Sequence, residues 1–500
     1  MKIFQNPQSA AGRCYLCWFY LAVVLGLSYF TYFRNYENPP RAFWDEVYHI
    51  PAAAKYVKGV FFMEAHPPLG QLLFAAGEYL FEPNKNVDVS QLLITDKANE
   101  IPSGYSFKGV RFFPALMGWI SCGLFFLLLY EILGNTHAAF LFSFLMIFDN
   151  ALIVHSPGVL REGILIFFVL LALYAVVRFT KRKSPGSVLR YLALGILAAL
   201  PVCVKMDGAI SALVLLGFLG FDTLYRPLQA GSAFGVVLQS FLLRLVVSLL
   251  SAALTFCAVW YVHFALGKKV EGGLYYGSSL EYQEILHKSE TADPSNFPVM
   301  FRDSLKYILK FHDKVPAPNY TNPEEFGSPT LHWPFGGRAI RYRADQTPSG
   351  AVRYRYLLPN PVGLAIGDVA VALAIILVVG RVVFATPITD DRLFFTVGLI
   401  CALYVGLMLF FLIPNRSFYL YHYLLPLTLS FCLAAALFSY CFRVELKEGD
   451  GVVFASLFCA AIAVTSTFYF FAPLTYERPI TTFELSRRAW LSMWDLVPLF

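Results

Sequence analysis

Charge is scarce in this sequence. Asp, Glu, Lys and Arg together supply 14% of 500 residues, against 57% hydrophobic and 17% aromatic residues, whereas a soluble domain carries about a quarter charged residues. The shortage argues against an ordinary soluble enzyme. Because the apolar residues gather into runs of about 20, each long enough to cross a bilayer, the chain reads as a polytopic membrane protein. The nine cysteines all fall in or beside apolar runs, so none is well placed for a disulfide in a long polar loop. The lone C-x-x-C at Cys14 and Cys17 lacks the second ligand pair that would suggest zinc. The first apolar run, 15–33, lacks an A-x-A-like cleavage site and reads as an uncleaved anchor. No convincing internal repeat of the kind common in secondary transporters is found. The net charge of +6 sits mainly in short connections, where it reports orientation and not a nucleic acid partner.

What is present is a membrane map. Eleven spans are predicted, at 15–33, 110–131, 137–155, 159–179, 190–205, 207–222, 240–266, 361–384, 393–413, 418–441 and 452–474. Two intervals, 34–109 and 267–360, are too long and polar for turns and are expected to be ordered loops with short interfacial helices. The fold class is therefore an all-α polytopic membrane protein. It divides into an N-terminal transmembrane module (1–266), a large loop (267–360) and a C-terminal transmembrane module with its tail (361–500). If the spans alternate, Lys2, Arg13, Arg178, Lys181, Arg182, Lys183, Arg190, Arg226, Arg244, Arg381, Arg392, Arg443 and Lys447 share one side, the cytoplasm by the positive-inside rule. Both long loops fall opposite.

On that opposite face the remaining charges collect at span ends: Asp45, Glu46 and Glu64, then Arg111, Asp149 with Asn150, Arg161 with Glu162, Lys205 with Asp207, and Arg416 with His422. Ionisable groups at membrane depth are costly and usually face a bundle interior or water. Asp and Glu are too short to snorkel well. Such a layout suits a transporter or an enzyme that takes a lipid-linked substrate, and two long loops on one face favour a site built at the membrane surface.

The stretch "DEVYHIPAAAKYVKGVFFMEAHPPLGQLL" resembles the first outer loop of the protein O-mannosyltransferases. Matches follow in family order: "VRFFPALMG", "FDNALIVHS", "VKMDG", "YVHF", "LPNPVG", "NRSFYLYHYLLP" and "FFAPLTYERPI". The resemblance implies a GT-C type glycosyltransferase of eleven spans that moves mannose, or a related hexose, from a polyprenyl or dolichyl phosphate to Ser or Thr of exported proteins. It implies Asp45 as catalytic base and Glu46 as a substrate-positioning neighbour, with Arg111, Lys205 and Arg416 contacting the donor phosphate. A sugar already on phosphate has a good leaving group, so one base suffices where most glycosidases need two carboxyl groups. Glu64, His66, Asp149, Asn150, Glu162 and His422 are further substrate-binding candidates.

The chain departs from the family pattern in places. Pro157 stands where the family has Arg, Glu162 where it has Asp, and Gln71 where HPPLG is followed by Lys. The interval 267–360 is too short for the β-trefoil insertion of eukaryotic members, which points to a prokaryotic-like protein in a bacterial cytoplasmic membrane, with its site on the outer face. No cofactor or essential metal is expected, since adjacent Asp45 and Glu46 diverge on a helix or strand and no Asp-x-Asp motif is present. The expected partners are the polyprenyl-phosphate-mannose donor, a secreted or membrane protein acceptor and the bilayer; the oligomeric state is left open. A transferase acting on lipid or glycan, similar to the lipid A aminoarabinose transferases, and a lipid-linked sugar transporter are the competing readings.

Overall fold

The computed structural model describes residues 4–7, 9–182, 187–320, 326–385, 387–388 and 390–499; Lys2 and Lys183 of the orienting basic set lie outside them. Among the described residues nine helices are long and apolar enough to span a bilayer: Ala10–Phe33, Lys108–Leu133, Glu162–Thr180, Met206–Gln229, Phe234–Leu266, Pro361–Phe384, Asp391–Leu412, Leu420–Cys441 and Gly451–Thr475. Two shorter apolar helices, Thr136–Ile147 and Val188–Val204, occupy the third and fifth expected positions. The protein is a mostly helical, multi-pass membrane protein, and its helix order is consistent with the eleven-span map.

The third segment is short for a local reason. Asp149 interrupts it, its carboxylate accepting from the Leu152 N–H at 2.9 Å to start a new helix at Asn150–His155. Its other oxygen accepts from the Asn360 N–H at 2.9 Å. Asn150 donates to Thr475 Oγ1 at 2.7 Å. These two residues thus tie the N-terminal helices to the start of Pro361–Phe384 and the end of the last span, work that differs from the substrate contact expected of them.

The two ends of the bundle differ. At one end Gln5 donates to the Glu448 carbonyl, Asn135 donates to the carbonyls of Phe4 and Leu446, and Arg443 pairs with Asp390. At the other end the two long loops and the C-terminal tail pack together. The Phe61 N–H donates to the Lys269 carbonyl at 2.7 Å, Lys55 bridges Asp96 at 2.6 Å and Tyr276 at 2.9 Å, and Trp494 Nε1 donates to the Phe335 carbonyl at 2.7 Å. The loops contribute the expected short helices, among them Glu46–Lys58, Leu69–Phe81 and Phe297–His312. They also contain an antiparallel sheet that the span map did not include. Strand β1 (Ile340–Gln346) pairs with β2 (Val352–Leu357), which pairs with β3 (Pro479–Ile480) from the tail. Alternating Arg and Tyr around T-P-S-G encode the hairpin, with Gly350 at φ 82° in the turn.

Candidate active site

Asp45 and Glu46 enter different environments because a helix begins between them. Trp44 takes a left-handed backbone, φ 51°, and the helix Glu46–Lys58 follows, capped at Asp45. Successive residues at a helix start diverge by about 100°. Glu46 turns inward and is fully buried. Its Oε1 accepts from Arg111 Nε at 2.7 Å and the Val159 N–H at 2.8 Å; its Oε2 accepts from Arg111 Nη2 at 2.7 Å and the Phe43 N–H at 3.0 Å.

Arg111 spends its remaining donors on the backbone of the loop it faces. Nη1 reaches the Glu37 and Pro39 carbonyls at 2.8 and 2.7 Å, and Nη2 the Arg41 carbonyl at 2.9 Å. All five N–H groups of the guanidinium are thereby used. The pair clamps 37–46 onto the helix Lys108–Leu133 and leaves Arg111 no donor for a ligand phosphate.

Asp45 faces the other way. Its half-buried carboxylate accepts no hydrogen bond among the described residues. Burial is the main cause of an elevated pKa; the neighbouring Glu162 adds to it, and Arg161, His155 and Lys205 oppose it. Beside it runs a connected chain. Tyr342 Oη on β1 meets His155 Nδ1 at 2.6 Å, His155 Nε2 meets Glu162 Oε2 at 2.8 Å, and Lys205 Nζ reaches Glu162 Oε1 at 3.0 Å and Asp207 Oδ2 at 2.9 Å. Two of the three Lys205 donors are thus used. Tyr421 closes one wall, with Lys205 Nζ 5.4 Å from its ring centroid and the His155 ring stacked on it at 5.5 Å. Trp44 lies edge-on to Tyr419 and Tyr421.

A second group of side chains has idle donors. Arg161 precedes the helix Glu162–Thr180 and is buried, yet its Nε and Nη1 make no hydrogen bond among the described residues. Its nearest carboxylate, Glu64 Oε1, is 3.6 Å from Nη1, a loose ion pair. Burial pushes the Glu64 pKa up to about 7 despite Arg161 and the Ala65 and His66 backbone. The stem of Arg161 runs past Gly70 of HPPLG, where a Cβ would sit 2.8 Å from Arg161 Cγ. The His66 ring meets the His312 ring edge-on at 5.2 Å, and His312 Nδ1 lies 2.7 Å from Arg416 Nη1. His66 Nδ1, His312 Nε2 and Arg416 Nε are all buried without hydrogen-bond partners among the described residues. Buried polar atoms normally find a partner, so this concentration marks the corner as a place where an acceptor-rich group fits. Burial and the surrounding cations hold the His66 pKa well below its usual value.

His422 is packed between the Tyr421 ring at 4.3 Å and the Trp333 ring at 6.2 Å, and its Nδ1 caps the turn at Tyr419. With Glu162, Asp207 and Tyr421 it borders a small internal void. Gln71, where the family pattern has Lys, is fully buried against His49 Nδ1 at 3.3 Å.

A family model described as dolichyl-phosphate-mannose-protein mannosyltransferase matches residues 22–266, and a second, described as the C-terminal four TMM region of protein-O-mannosyltransferase, matches 305–494. The chain belongs to the protein O-mannosyltransferase family. Protein O-mannosyl-transferase 1 of Danio rerio is 29% identical over 249 residues, 49% of this chain and 34% of the relative. Protein O-mannosyl-transferase 2 of Danio rerio is 32% identical over 170 residues, 34% of this chain and 22% of the relative. The chain spans about a third or less of the length of these curated relatives. The structure of the S. cerevisiae protein O-mannosyltransferase Pmt1-Pmt2 complex bound to the sugar donor aligns with a TM-score of 0.78 at 15% identity, over 96% of this chain and 92% of that one, and so shares its fold.

Within this member of the protein O-mannosyltransferase family, the geometry brings Asp45, Glu64, His66, Glu162, Lys205 and Arg416 to one region, and sets Arg111, Asp149 and Asn150 to structural work. Arg161 enters the sequence analysis only as a charge at a span end, with no role assigned, and Tyr342 and His312 do not enter it at all. The signal for Arg161 was its place beside Glu162 at a span end; Tyr342 and His312 carried none, since both come from the loop 267–360.

Proposed function

We propose that the protein transfers mannose, or a closely related hexose, from a polyprenyl-phosphate donor to Ser or Thr hydroxyls of exported proteins, with inversion at the anomeric carbon. The observation that carries the reading is the contrast at the Asp-Glu pair: Glu46 is saturated, whereas Asp45 stands open and, among the described residues, unpaired beside buried cations with idle donors. Asp45 takes the proton of the acceptor hydroxyl as its oxygen attacks the anomeric carbon. The bond from that carbon to the phosphate oxygen breaks, and the phosphate leaves with the electron pair. Arg161, Lys205 and Arg416 surround the leaving phosphate, Arg161 replacing the expected Arg111. Cations preorganised where negative charge develops lower the barrier.

In this reading these side chains supply the positive charge and no metal is required. Glu162 and His155 hold Lys205 in place, and burial near Glu162 keeps Asp45 more basic than an ordinary aspartate. The site lies on the outer face of a bacterial cytoplasmic membrane, the side away from most basic connections.

The test is transfer of radiolabelled mannose from polyprenyl-phosphate-mannose by membranes carrying wild type or Asp45→Asn, with products divided into protein and lipid fractions. Alkali-labile label on protein that disappears in the variant supports the reading. Label in lipid or glycan moves the acceptor to that class and keeps the mechanism. Label on protein that persists in Asp45→Asn removes Asp45 as the base.

A further inference from the structure

A cavity of about 700 Å³ opens between the loop-side ends of the first and last spans. Its upper wall carries Arg34, Arg353, Arg355 and Arg478, against a single acidic side chain, Glu477. Glu477 pairs with Arg355 at 3.1 Å. Arg34, Arg353 and Arg478 have no acidic partner among the described residues. Arg355 is more than nine-tenths buried: Nη1 goes to Glu477 and Nη2 to the Val154 carbonyl at 3.2 Å, but Nε is buried with no partner among the described residues. A buried guanidinium with an idle donor in a cation-rich cavity has the chemistry of an anion site.

The lower wall differs in character. Phe30 and Tyr469 belong to helices long and apolar enough to span the bilayer, yet are 59% and 63% exposed. The cavity therefore descends from a cationic rim into the hydrocarbon layer. It is separate from the Asp45 region: the Arg355 guanidinium lies 4.7 Å over the Phe43 ring, and that ring packs on Tyr342 at 5.4 Å. A free anion has no use for the aromatic lower wall, and an acidic peptide would leave it facing lipid.

We infer that this cavity binds an anionic phospholipid, its phosphodiester headgroup among Arg353, Arg355 and Arg478 and its chains running past Phe30 and Tyr469. The lipid braces the first span against the last, which are already joined by the Tyr476 hydroxyl donating to the Thr31 carbonyl at 3.2 Å.

The experiment titrates the purified full-length protein in detergent with phosphatidylglycerol or phosphatidylcholine and reads bound lipid by native mass spectrometry. Inorganic phosphate and a glutamate-rich peptide serve as competitors. The inference expects phosphatidylglycerol to be preferred, and Arg353→Gln with Arg478→Gln to weaken it about thirtyfold. Arg353→Lys with Arg478→Lys should keep most of the affinity, and both variants should melt with the wild type, since these side chains are exposed. Equal binding of the two lipids, unchanged affinity in the glutamine variant, or competition by phosphate or peptide at concentrations matching the lipid overturns it.

Discussion

Two regions flank the Asp-Glu pair, and they treat charge in opposite ways. Around Glu46 every donor of Arg111 and both carboxylate oxygens are used, across a fully buried contact that links residues 65 positions apart. Around the half-buried Asp45 and the buried Arg161, by contrast, the carboxylate accepts nothing and the guanidinium keeps two buried nitrogens idle among the described residues. Both regions carry the cost of moving charge out of water. The first recovers it internally, which is how a fold is held; in the proposed function the second leaves it to the donor phosphate.

The comparison breaks most sharply at the pair itself. Asp45→Asn should lower turnover about a thousandfold, the scale of a lost general base, with a melting temperature within a degree or two of wild type; matched losses of both would put Asp45 on the structural side. Arg111→Gln should do the reverse, costing about 3–5 kcal/mol of stability because Glu46 is left buried and unpaired. Denaturation in detergent checks it, and a stable variant lacking only activity would return Arg111 to the ligand.

Glu64 sharpens the contrast through pH. Its folded-state pKa is raised from 4.5 to about 7, so its protonated form stabilises the fold fully below about 4.5 and that contribution fades as pH rises through about 7, by at most about 3 kcal/mol. Melting temperature scanned across this window should decline for wild type and flatten in Glu64→Gln. Arg161→Lys should cost about tenfold in kcat/KM for the lipid donor, since a point charge replaces a planar fork, with little change in stability. Gly70→Ala should give the smallest effect, a fewfold loss of activity, because the new methyl displaces the Arg161 stem and leaves the Glu46–Arg111 clamp intact; unaltered kinetics would mean that the stem's path does not matter.

The positions of the apolar helices were legible from run length and hydropathy. The β hairpin was also encoded, in the alternation of Arg and Tyr around T-P-S-G, but a search for spans passes over short strands. Within the candidate site, Asp45, Lys205 and Arg416 were visible as charges at span ends. Arg111 shared that signal and does different work, because a motif records which residue types are present and not how many donors each has left. Tyr342 was invisible: it reaches His155 across 187 positions.

The sequence by itself determined the membrane class, the helix order and the Asp-Glu motif, since bilayer thickness and local apolar runs act on neighbouring residues and need no knowledge of the rest of the chain. Only the tertiary structure decided that Glu46 is closed and Asp45 open, and that Arg161 rather than Arg111 keeps its donors free. Burial penalises a charge that lacks a partner, but whether a partner lies within 3 Å depends on which distant segments the packing of loops and helices brings together.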